Sequence, residues 1–125
     1  MIFDTDILIW VGKDHSQAIR WVEESGNRFI SAQTYLELLQ RALNKEQQRN
    51  AKKFLKEMGF QTLPITENIS HRAMIYIDEY GLSHGMDAGD ALIAATAVHH
   101  KLPLATGNAK HFRAIKDLDL KVFRP

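Results

Sequence analysis

The 125-residue chain contains no cysteine, which excludes both disulfides and thiolate metal sites. No apolar run approaches the ~18 residues that a membrane span requires. The opening "MIFDTDILIWVGKDH" is too short and too acidic for a secretory signal. These absences fit a reducing cytoplasm. Large charge of one sign is missing too. The net charge is +1, so no global positive excess advertises a nucleic-acid partner. Internal repeats, low-complexity tracts and linker-like stretches are absent as well, which leaves residues 1–125 as a single domain large enough to bury a core unaided.

What is present is an alternation of short apolar runs with amphipathic stretches. "MIFDTD" reads as a buried strand ending in acids, and a helix follows from about Ile7. "DHSQAIRWVEESG" predicts a helix stopped at Gly26, and "RFIS" a second strand. "SAQTYLELLQRALN" predicts an amphipathic helix with Ser31 as N-cap and Leu36, Leu39 and Leu43 on one face. "EQQRNAKKFLKEMG" predicts a helix ending at Gly59. "FQTLPI" reads as an edge strand, because Pro64 cannot donate to a ladder. "TENISHRAMIYIDEYG" predicts a helix closed by Gly81. A further helix covers about 87–101, where His99 and His100 stand at a terminus that favours a cation. "LPLAT", a short helix "AKHFRAI" and "LKVF" complete the chain. Strand–helix alternation of this kind argues for an α/β fold with a central, mostly parallel sheet of about five short strands flanked by helices.

In such sheets chemistry gathers beyond the carboxyl ends of the strands, and that is where the acids fall. Asp4 and Asp6 follow the first strand. Glu37 lies in the helix after the second. Asp87 and Asp90 open the helix that leads to the fourth, and Thr106 and Asn108 follow that strand. Each acid has an ordinary structural account. Asp4 or Asp6 can cap a helix, Glu37 and Arg41 have i,i+4 ion-pair spacing, and Asp87 with Asp90 forms a weak capping box. Asp90 is the least well explained, since the apolar "ALIAATAV" follows it and a carboxylate against such a wall needs a partner. Clustered carboxylates also raise one another's pKa unless a cation neutralises them, and oxygen donors with few imidazoles suit a hard divalent ion.

Three segments, "FDTDILI", "SAQTYLELL" and "GDALIAATAVHHKLPLATGNAKHF", resemble in order and spacing the PIN-domain ribonucleases, above all the VapC-type toxins of toxin–antitoxin pairs. The resemblance spans nearly the whole chain. It implies a three-layer PIN-like fold and a metal-dependent endoribonuclease that leaves 5′-phosphate and 3′-hydroxyl ends. Asp4, Glu37 and Asp90 would hold Mg²⁺ or Mn²⁺, and Thr106 and Asn108 would complete the catalytic set. One ion is expected. Asp6 and Asp87 are spare acids for a second, because Asn108 and His111 occupy positions where the family often has another acid. Gly107 stands where an arginine is usual.

Lys13, Arg41, Lys45, Lys110 and Arg113 are candidate RNA contacts, with Thr5 and His111 as additional site candidates. The implied partners are an RNA substrate, a cognate antitoxin whose basic segment covers the acidic site, and a second copy of the chain. Three alternatives stand beside this reading. One is a PIN nuclease of RNA processing or decay, and another is a catalytically silent PIN-like binding module. The third is a haloacid-dehalogenase-type phosphatase, suggested by "FDTD" and opposed by Leu8 where that family wants Thr or Val.

Overall fold

A computed structural model describes residues 1–124. Five strands form one sheet in the order β3-β2-β1-β4-β5, every neighbouring pair parallel. They are β1 (Ile2–Phe3), β2 (Arg28–Ser31), β3 (Phe60–Leu63), β4 (Leu104–Thr106) and β5 (Leu120–Val122). The helices are α1 (Thr5–Gly12), α2 (Ser16–Glu24), α3 (Ala32–Arg41), α4 (Lys45–Glu57), α5 (Glu67–His84) and α6 (Ala88–His99), with a 3₁₀ turn at Ala109–His111. The sheet is therefore wholly parallel, and Phe60–Leu63 is an edge strand as Pro64 requires.

Strand side chains alternate between two apolar layers. Ile2 and Leu104 point to a core built with α5 and α6. Phe3 and Ala105 point to a second core with Ala18, Val22 and Phe123. A third cluster joins Leu8 and Ile30 to Leu55 of α4. Parallel strands covered on both faces explain why these runs are continuously apolar rather than alternating with polar residues. Two helix layers around one sheet make the three-layer α/β arrangement.

Local chemistry sets the element boundaries. Ser31, Asn44, Thr66 and Asp87 cap their helices by accepting backbone N–H bonds from Gln33, Gln47, Ile69 and Asp90. Helix α5 does not stop at Gly81 but continues to His84, ending at Gly85 with φ +65°. That left-handed conformation suits glycine. Helix α3 ends at Arg41, so Leu43 (87% exposed) lies beyond it, and Leu36 (57%) faces outward. The packed face is formed by Thr34, Tyr35 and Leu38 instead. "AKHFRAI" yields only the 3₁₀ turn. His100 caps α6, but burial and the adjacent His99 push its imidazole below the usual range. His99 and His100 stand at the C-terminal end of α6, where the sequence reading places them.

Candidate active site

Strand order reverses between β1 and β4, with β2 and β3 on one side and β5 on the other. A crevice opens at the carboxyl ends of the strands at such a switch point. Here it is a cleft of about 250 Å³ lined by Asp4, Thr5, Asp6, Ile9, Glu37, Asp87, Asp90, Asn108 and His111. Residues from four separated segments thus meet in one place, including all five acids singled out from the sequence.

Asp4 is 5% exposed and has two fixed hydrogen bonds. Its Oδ1 accepts from the Thr5 N–H at 2.7 Å, and its Oδ2 accepts from the Thr106 hydroxyl at 2.8 Å. Asp4 therefore caps α1, as its ordinary structural account has it, and also lines the cleft. Burial, with the Asp6 charge next, pushes its carboxyl up to about 7 against the opposing pull of those donors. Asp6 accepts the Gly107 N–H at 2.9 Å through Oδ2. Its other oxygen is buried without a partner, and burial raises its pKa although the Gly107 N–H opposes the rise. A Cβ at residue 107 would stand 2.8 Å from Asp6 Oδ2. The absence of a side chain at Gly107 thus admits this acid.

Thr106 is fully buried, and its oxygen accepts the Asn108 N–H at 3.0 Å while its proton goes to Asp4. The hydroxyl orients Asp4 rather than facing a substrate. Asn108 is exposed at the rim, and its side chain makes no capping bond. The Thr5 hydroxyl meets that of Thr34 at 3.1 Å, a structural role.

Glu37 points into the cleft, and its Oε1 accepts from the Gln33 carboxamide at 3.0 Å. No Glu37–Arg41 ion pair forms among the described residues. Gln33 escaped the sequence reading although its i−4 spacing to Glu37 was visible. Gly89 brings α6 against this pair, since a Cβ there would lie 3.0 Å from Glu37 Oε1 and 3.2 Å from Gln33 Nε2.

Asp87 caps α6 by accepting the Asp90 N–H at 2.8 Å. Asp90 itself faces His111, whose Nδ1 lies 3.2 Å from Asp90 Oδ2. Burial first, then Asp87 and Glu37, push the Asp90 carboxyl up to about 6, while His111 pulls it down. The sequence expectation that Asp90 needs a partner is met by His111.

Several acids pressed together, with acidities lowered by burial and mutual repulsion, form an oxygen-rich set that suits a hard divalent cation. Among the described residues no three acids or histidines already close around a common point.

The basic candidates separate. Arg41 lines a shallow groove with Thr5, Ile9, Glu37 and Gln40 beside the cleft. Lys110 and Arg113 line another groove on the opposite side. Lys13 caps the far end of α1, roughly 13 Å along the helix from Asp4, and Lys45 opens α4 on the surface. Neither of these two reaches the cleft.

Comparison with known proteins agrees with this geometry. The family model described as "PIN domain" matches residues 1–118. Ribonuclease VapC1 of Methanocaldococcus jannaschii is 32% identical over 124 residues, covering 98% of this chain and 86% of that protein. A toxin–antitoxin complex from Klebsiella pneumoniae contains a chain that is 30% identical. The match covers 94% of this chain and 93% of that one, with a TM-score of 0.79. A chain of VapBC-1 from nontypeable Haemophilus influenzae is 28% identical, with 98% of each chain covered and a TM-score of 0.77. The phosphatase reading of "FDTD" is thereby set aside. Strand order, the acids gathered at the switch point and these matches agree that the chain belongs to the PIN domain family.

Proposed function

We propose that the chain is a divalent-metal-dependent endoribonuclease acting as the toxin of a toxin–antitoxin pair. The observation that carries this reading is the convergence of Asp4, Asp6, Glu37, Asp87 and Asp90 in one cleft, with Asp4 and Asp90 held well above the usual carboxylate range. The name of the Methanocaldococcus relative and the toxin–antitoxin assemblies of the structural neighbours support the substrate and partner classes.

Asp4, Glu37 and Asp90 would hold one Mg²⁺ or Mn²⁺. Asp87 has one oxygen bound to a backbone N–H, which leaves the other for a second ion, and Asp6 would join it only by turning its buried free oxygen into the cleft. The bound ion would polarise a phosphoryl oxygen and lower the pKa of a water molecule. The chain's own groups set the geometry. Thr106 and the Thr5 N–H fix the Asp4 carboxylate, Gln33 fixes Glu37, and His111 fixes Asp90. The Asn108 carboxamide, which lines the cleft and makes no capping bond, would hydrogen-bond a phosphate oxygen or the attacking water.

Leu36 on α3 and Met74 and Leu82 on α5 are 57%, 67% and 105% exposed. They offer apolar surface for the antitoxin and for a second copy of the chain. No helix among the described residues is long and apolar enough to cross a membrane.

The test compares wild type with Asp90→Asn on structured RNAs, with Mn²⁺ and with chelator. Cleavage is expected only from wild type with metal. Cleavage that survives both the substitution and metal removal would overturn the mechanism. Metal-independent RNA binding without cleavage would favour the silent-module reading, for which the intact set of acids gives no support.

A further inference from the structure

The acid cleft poses an electrostatic problem for a polyanionic substrate. Five carboxylates line it, so phosphates on either side of the reacting one meet repulsion unless cations stand nearby. The cations around the cleft are unevenly placed. The groove shared with Glu37 holds Arg41. The groove on the other side, about 460 Å³, is lined by Gly107, Asn108, Ala109, Lys110 and Arg113, and by Val122, Phe123 and Arg124 from the end of the chain. Three cations therefore line one groove, and Asn108 belongs both to it and to the cleft.

Among the described residues the ion pairs are Lys53–Glu57, Lys121–Asp119 and His111–Asp90. Among the described residues Lys110, Arg113 and Arg124 thus have no carboxylate partner, and all three are exposed. Arg124 was not visible as a candidate from sequence. It reaches the turn after β4 only because β5 pairs with β4 in register, Thr106 opposite Val122, and because the Phe123 N–H bonds to the Thr106 carbonyl at 2.8 Å.

We infer that the groove between the 3₁₀ turn and the end of β5 seats the phosphates that flank the scissile one on a single-stranded RNA, held by Lys110, Arg113 and Arg124. The inference rests on the nuclease reading above and adds to it the side on which the substrate strand is gripped. A single strand fits this geometry because it can bend across Asn108 from cleft to groove. An A-form duplex carries its phosphates on a rigid cylinder and would bridge over the depression.

The experiment uses the full chain with fluorescein-labelled oligouridylate. Binding is followed by anisotropy in Mg²⁺ on an Asp90→Asn background that does not cut. Adding Lys110→Ser, Arg113→Ser and Arg124→Ser together is expected to weaken binding by at least about tenfold at low salt. It is also expected to reduce the slope of log affinity against log salt by about 2, at roughly 0.7 for each single-strand phosphate contact. The equally exposed α4 set Lys52→Ser, Lys53→Ser and Lys56→Ser should change neither. Circular dichroism checks that each variant is folded.

In single-turnover cleavage, the groove substitutions in an otherwise wild-type chain should raise the half-saturating protein concentration and leave the maximal rate within about threefold. Unchanged affinity and slope, with wild type still cutting RNA, would overturn the groove and leave the nuclease reading standing. Groove-dependent binding by a wild type that cuts no RNA would support the groove and overturn the nuclease. Equal competition by a duplex of the same sequence would overturn the single-strand assignment.

Discussion

Replacing Asp4 with asparagine should stabilise the metal-free protein at pH 8 while abolishing catalysis. The Asp4 carboxyl is 5% exposed, and its pKa rises from 3.8 to about 7 on folding. Because the folded value lies above the unfolded one, the folded state binds the proton more tightly. Its contribution to stability is fully present below pH 3.8 and is lost as pH rises through about 7. At pH 8 the ionised group therefore costs on the order of 4 kcal/mol, at about 1.4 kcal/mol for each pH unit of the interval.

Asparagine removes that cost and keeps both hydrogen bonds. Its carbonyl can accept the Thr5 N–H, and its amide can donate to the Thr106 oxygen once that hydroxyl turns away. Allowing about 1 kcal/mol for imperfect pairing, the net gain is roughly 2–3 kcal/mol, or about 10 °C in Tm for a domain of this size. Thermal melts in chelator at pH 5 and pH 8 measure it. Wild type should lose stability between the two and the variant much less. Millimolar Mg²⁺ should raise the wild-type Tm at pH 8 and leave that of Asp4→Asn nearly unchanged. A wild-type profile flat from pH 5 to 8, with a variant melting at or below wild type, would refute the claim that burial and like charge strain this site.

Gly89→Ala should lower cleavage at least tenfold with less than about 1 kcal/mol loss of stability, because the new methyl meets Glu37 Oε1 at 3.0 Å rather than the core; chemical denaturation alongside rate measurement separates the two effects. Thr106→Val removes the donor to Asp4 Oδ2 and leaves the Asn108 N–H without its acceptor. It should destabilise the fold by about 1–3 kcal/mol, more at pH 8 than at pH 5, as read from paired melts. His111→Phe removes the group that pulls the Asp90 pKa down. The acidic limb of the metal-dependent rate profile should move to higher pH, and an unmoved limb would show that His111 does not act through Asp90.

The sequence by itself determined the alternation of elements, because continuous apolar strands and capped amphipathic helices are written in local residue types. Ser31, Thr66 and Asp87 cap as their side chains dictate, and Pro64 marks an edge strand. The acids were legible for the same reason, each standing just after a strand or at a helix start. Boundaries governed by packing were not. Gly81 lies inside α5, and the outward face of α3 carries Leu36, since burial depends on which neighbour a helix meets and not on its own period.

Only the tertiary structure decided how the acids differ. Thr106 bonds to Asp4 across 102 residues of sequence and Gly107 to Asp6 across 101, contacts that exist because β4 pairs with β1. His111 meets Asp90, and Arg124 joins Lys110 and Arg113, through the same adjacency of distant strands and turns. Charge interactions depend on separation in space and on exclusion of water. The sequence therefore named the chemical groups, and the parallel sheet set their acidities and their partners.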